Sequence, residues 1–280
     1  MKRVPFSQII KNAKVDIRRE YDRLFNLFYV QKIQYNDIYT ATLRTICSEF
    51  FPTLPFRGTC ISLDDFDDFN DFHFLKDPPD FNLDYLVSFC QYSYNLVYHS
   101  NAPANVMFNC ILSHEMKLYL QQVMTVVDSI GYMKNRQDLI TDFVPKDQTA
   151  ISVAEIVDPS LSYKVLEYNH HSMKGDLERK RATLLVLADK LEPMREKLSQ
   201  INKSLESDLF FLLNEVQVRH NNIEQGSKKY NPFIAGMNEK TIEQWYDDMY
   251  QMCLLAFLEL EHLDRKNRIV QLKKDILNKA

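Results

Sequence analysis

Apolar residues recur every three to four positions along most of this chain, the spacing of a helix face rather than the alternation of a strand. Ile9, Ile10, Val15, Ile17, Leu24, Leu27 and Phe28 form the first such stripe, with charges between them. A second helix is expected over Tyr39 to Phe51, ended by Pro52 and Pro55. Two more fit Leu83 to Tyr98 and Val106 to Val127, the latter carrying Met107, Ile111, Met116, Leu120 and Val123. Two stretches lack the pattern. Thr53 to Phe81 has Gly58, Pro78, Pro79 and dense Asp, and reads as one long irregular segment. Lys134 to Pro159 reads as a polar connector.

From Lys174 the pattern tightens. Leu184, Leu187, Leu191, Met194, Leu198, Ile201 and Leu205 step by three and four residues, which is a heptad seam. Pro193 falls inside it and is tolerated only in a first helical turn, so one helix should end near Glu192 and another run from there to about Arg219. After a polar break from Asn221 to Gly236, Thr241 and Gln244 have the spacing of a capping box. Ile242, Trp245, Met249, Met252, Ala256, Leu260 and Leu263 then give the buried stripe of a last long helix. Arg265, Lys266, Arg268, Lys273 and Lys274 suit a solvated helix end, where the dipole favours cations.

The pattern predicts an all-α fold: a multi-helix bundle with long paired helices in its C-terminal half and an irregular acidic loop at 53–81. It divides into an N-terminal helical region, 1–158, and a C-terminal helical domain, 159–280, or forms one continuous domain. Only five glycines argue against sandwiches, barrels and phosphate-cradling folds. The first residues show no secretory h-region, and no apolar run approaches the roughly 20 residues that cross a bilayer. Cys47, Cys60, Cys90, Cys110 and Cys253 are scattered without a C-x-x-C pair and read as reduced thiols in a core. A cytoplasmic location follows. The net charge of -4 gives no global attraction to polyanions, so contact with nucleic acid needs a local patch.

Candidate chemistry is sparse. The tract Asp64-Asp65-Phe66-Asp67-Asp68-Phe69-Asn70-Asp71-Phe72 has carboxylates for a hard cation but no EF-hand register, so a loop anchored by its rings, or a segment binding a protein partner, is favoured over metal. His114-Glu115 lacks the second histidine of the zinc-protease helix, Leu118 standing in its place. His170-His171 would diverge by about 100° on a helix and are read as structural or capping. No metal site and no cofactor is expected, and neither glycine-rich nucleotide loop occurs. The segment that concentrates chemistry is Arg219-His220-Asn221-Asn222. An arginine forks onto phosphate and an imidazole can move the proton of an RNA 2′-hydroxyl, while the same residues also suit the end of a helix.

Arg219-His220 with Asn221-Asn222-Ile223-Glu224, between two long helices, resembles the Arg-polar-x(3 to 5)-His signature of HEPN domains. The flanks, Gly175 to Arg181, Leu191-Glu192-Pro193 and Phe210 to Asn214, resemble the helical domains of abortive-infection phage-defence proteins, over roughly 160–263. The resemblance implies a bacterial defence or toxin protein that binds RNA or is a metal-independent endoribonuclease, often a homodimer. Arg219 and His220 would then be catalytic, and Asn221 and Asn222 would contact RNA. Glu224 and Gln225 stand where the family's histidine falls, so either His220 replaces it or the domain has kept only binding or dimerisation. The alternative is a non-catalytic helical adaptor.

Overall fold

A computed structural model describes residues 15–34, 39–107 and 109–278, without the side chains of 102–113. Ile9 and Ile10, and the side chains of Met107, Cys110 and Ile111, lie outside the described residues. The backbone forms two compact units, Met1–Pro145 and Lys146–Ala280. It is mostly helical, but two small β-hairpins amend the all-α expectation.

In the first unit, Asp16 caps helix α1 (Ile17–Phe25), which runs into a π-helical turn at Asn26–Val30. Strands β1 (Lys32–Gln34) and β2 (Thr40–Thr42) pair antiparallel ahead of α2 (Leu43–Phe50), where Thr42 is the N-cap. The acidic tract is not a loop. Ser62 accepts the Asp65 N–H at 3.1 Å and starts α3 (Leu63–Asn70), with Asp64 and Asp65 in the first turn, where the dipole favours negative charge. Asp71, at φ 57°, ends it in the left-handed region. The long helices α4 (Leu83–Met107) and α5 (Asn109–Ser129) follow. Tyr21, Leu24, Phe28, Phe89, Tyr92 and Tyr119 are among the core residues.

The second hairpin, β3 (Tyr132–Gln137) with β4 (Ile140–Pro145), occupies part of the expected connector. Asp138 at φ 50° makes the tight turn. Two amides one turn apart on α4 hold its edge. Asn95 donates to the Thr141 carbonyl (2.8 Å) and accepts its N–H (2.9 Å), and Gln91 accepts the Phe143 N–H (3.2 Å). Three backbone polar groups of the edge strand are thereby satisfied by side chains.

In the second unit, α6 (Gln148–Ala154) and α7 (Pro159–Glu167) are capped by Asp147 and Asp158. A 3-10 turn at His171–Met173 leads to α8 (Leu177–Leu191), and a second at Glu192–Met194 contains Pro193. The helix expected to run on to Arg219 is divided into α9 (Arg195–Ile201) and α10 (Lys203–Glu215), because Asn202 leaves helical geometry and caps α10. After the short α11 (Pro232–Ala235), α12 runs from Glu239 to Leu277 with Asn238 as N-cap, so Thr241 is the third helical residue and not the cap. Leu184, Leu187, Leu191 and Leu198 are fully buried, each contributing about 1.5–3 kcal/mol by burial. Trp245 is 37% exposed instead of buried. The inward arc of α12 runs through Tyr246, Met249, Tyr250, Cys253 and Phe257.

Candidate functional site

The Arg219–Asn222 segment follows the end of α10. Gln217, at φ 55°, turns the chain, and the Arg219 N–H returns to the Leu213 carbonyl at 3.0 Å. Asn222 is fully buried and clamps this loop. Its Oδ1 accepts the Gln217 N–H (3.2 Å) and its Nδ2 donates to the Lys229 carbonyl (3.1 Å). An Asn→Ala change here would strip partners from buried backbone groups, so Asn222 serves the loop and is closed to a ligand.

Arg219 is 18% exposed and committed within the fold. Its guanidinium pairs with Glu192 at 2.5 Å, donates to the Ala188 carbonyl at 3.4 Å and lies 5.2 Å from the centre of the Phe210 ring. Those contacts hold it to the C-terminal end of α8. His220 goes the other way. It lines an open cleft of ≈ 240 Å³ with Leu177, Glu178 and Arg181 from the start of α8, beside Gln217, Asn221 and Tyr246. Residues 177–181 and 188–192 are separated by roughly eleven residues of helix, or ~16 Å. Adjacent in sequence, Arg219 and His220 are thus directed to different ends of one helix, and Arg219 is not among the residues lining the cleft.

Sequence reasoning missed Arg181. Its Nε donates to the carbonyls of Gln217 (2.5 Å) and Val218 (3.1 Å), in the turn that follows α10, while the side chain stays exposed on the cleft. Its distance in sequence from the motif hides the partnership. The cleft therefore joins a cation and an imidazole over the buried Tyr246, whose phenol burial pushes up in pKa, while the Asn221 amide at its edge is held in its own loop, donating to Glu224 (2.7 Å) and accepting the Ile223 and Glu224 N–H groups. Glu178 also lines it.

His170 has a capping role. The Nδ1 of His170 accepts the Ser172 N–H at 3.2 Å, capping the 3-10 turn, and burial, then the neighbouring His171, holds its pKa down at about 4. Among the described residues no group of three or more His, Cys, Asp or Glu is placed to hold a metal ion. Nearby, Lys180 is 7% exposed on its side chain and donates to Glu243 and Asp247, both at 2.7 Å. Glu243 is held below the usual carboxylate range, first by the Gly175 N–H and then by Lys180.

In the first unit, the buried Asp67 of α3 accepts bonds from Arg44 (2.5 Å) and the Tyr92 hydroxyl (3.0 Å). Burial raises its pKa against the pull of Arg44. This carboxylate of the acidic tract is a structural anchor. Cys47, Cys60, Cys90 and Cys253 are buried, and burial pushes the Cys47 and Cys253 thiols up to about 12. Among the described residues no helix is long and apolar enough to cross a membrane. In comparisons with known proteins, no family model, no curated protein and no solved structure matches this chain.

Proposed function

We propose that the second unit is a HEPN-like, RNA-binding module of the bacterial defence or toxin type, and that its ligand surface is the cleft of Arg181, His220 and Asn221 rather than the Arg219–His220 pair. One observation carries this reading: a guanidinium, an imidazole and an amide share an open cleft with an aromatic floor. Phosphate suits the cation, and the edge of a base suits the imidazole. The reading is one of binding. Metal-independent scission by Arg219 with His220 would require Arg219 to leave Glu192 and Phe210, which hold it away from the cleft.

The test is fluorescence polarisation of a labelled single-stranded RNA with purified protein, with a gel assay for cleavage with and without EDTA. Arg181→Ala and His220→Ala are expected to weaken binding by about tenfold each, as for loss of one charge-assisted contact. Arg219→Ala is expected to lower stability more than affinity. Absence of binding at low salt, or an equal loss on Arg219→Ala alone, defeats the proposal. A second reading, a non-catalytic helical adaptor, is favoured by the apolar side chains that the end of α12 exposes.

A further inference from the structure

Beyond Glu261, α12 leaves the core of its unit. Ile269 (50%), Leu272 (58%) and Ile276 (58%) are exposed, and at 100° per residue they share one face, with Val270 and Leu277 beside it. Isolated exposed aliphatics are ordinary; five in three turns of helix are a patch. Lys266 and Lys273 lie among them by the same rotation, with Lys274 adjoining. These three lysines form no ion pair among the described residues. The tip is thus apolar and cationic, in a chain of net charge -4.

At the base of the same stretch lies a groove of ≈ 230 Å³. Leu161, Met194, Phe257 and Leu260 line its apolar part. Asp158, Glu261 and Asp264 stand around it with Lys190. Lys190 pairs with Asp158 (2.8 Å), and Glu261 is engaged by Arg265 and Arg268, so Asp264 is the carboxylate there without an ion pair among the described residues. The volume suits aliphatic side chains.

The tip cannot fill its own groove. Both belong to one continuous helix, and the tip stands ~20 Å further along it at 1.5 Å per residue. Parallel pairing of two tips would set lysine against lysine. Antiparallel pairing brings each tip to the base of the other, where Asp264 and the groove lie, and a two-fold axis satisfies both ends at once. We propose that the exposed end of α12 docks against the apolar groove and Asp264 at the base of α12 in a second copy of this chain, the two copies exchanging tips.

Sedimentation velocity of the full chain over a concentration series tests it. The wild type is expected to dimerise, more weakly at high salt. Leu272→Glu with Ile276→Glu, Lys273→Glu with Lys274→Glu, and Asp264→Lys should each raise the dimer dissociation constant more than about tenfold. All these side chains are exposed, and unchanged circular dichroism verifies that the fold survives. An equimolar mixture of the Lys273→Glu, Lys274→Glu protein with the Asp264→Lys protein should regain the dimer, because both tip-to-base contacts are again of opposite charge. A wild type that stays monomeric, a dimer indifferent to Leu272→Glu with Ile276→Glu, or a mixture that fails to associate overturns the proposal. So does a monomer whose tip instead binds phosphatidylserine vesicles.

Discussion

Lowering the pH should destabilise the second unit through His170. Its Nδ1 accepts the Ser172 N–H and lies 2.8 Å from the Ser172 hydroxyl, so a proton on that nitrogen breaks the cap of the 3-10 turn. The side chain is buried, and its pKa falls from 6.5 to about 4. Above pH 6.5 the imidazole is neutral both folded and unfolded and leaves stability unchanged. Between 6.5 and about 4 the unfolded chain takes up a proton that the folded chain refuses, so stability is lost as pH falls through that window. At 1.36 kcal/mol per unit, the ceiling is about 3 kcal/mol. The chain's single tryptophan is Trp245 in α12, and its fluorescence follows the unfolding of this unit in urea. His170→Asn keeps a cap acceptor that does not titrate. Between pH 7.5 and 4.5 the wild type should lose about 2–3 kcal/mol more than the variant, since every other titrating group is common to both. Identical pH slopes, or a His170 resonance titrating near 6.5, would refute the reasoning.

Lys180→Met should lower stability by about 2–3 kcal/mol, read by the same fluorescence, because it leaves Glu243 and Asp247 facing each other without their shared cation. Arg44→Ala should destabilise the first unit by about 3 kcal/mol in thermal circular dichroism. Asp67→Asn in that background should recover part of the loss by removing the stranded charge. Leu191→Asp should unfold the second unit, whereas Phe211→Asp, at a site 64% exposed, should leave its melting within about 0.5 kcal/mol of wild type. Amide exchange should be slow at Phe66 and Phe72, whose N–H groups bond to Ser62 and Asp67, and faster across 73–80.

Helices were legible where burial is one-sided. Leu184, Leu187, Leu191 and Leu198 could be placed in a core from spacing alone. The same spacing misled where a single polar residue overrides the period. Asn202 breaks the second half of the seam, and Ser62 turns a run of aspartates into a helix by supplying the cap that their low helix propensity lacks. The hairpin at 132–145 was hidden because its edge is satisfied by Gln91 and Asn95, distant side chains that leave no mark in the strand's own pattern. Trp245 misled for another reason. A stripe of i, i+3, i+4 positions fixes the period but not the centre of the buried arc, and here that centre lies on Tyr246, Met249 and Cys253.

The site was legible as residue types and not as a geometry, and the reason lies in Pro193. By ending α8 at Leu191 it opens a 3-10 turn that presents Glu192 beside the loop after α10. Glu192 then takes Arg219, and the Phe210 ring completes the hold. His220, next in the chain, is left to the opposite end of α8, where Arg181 already fixes the loop through the Gln217 and Val218 carbonyls. A motif read as one reactive pair is therefore divided by the helix it packs against. The cation that shares the cleft with His220 belongs to another part of the sequence, and the chemistry available there follows from Arg181 rather than from the residue beside the histidine.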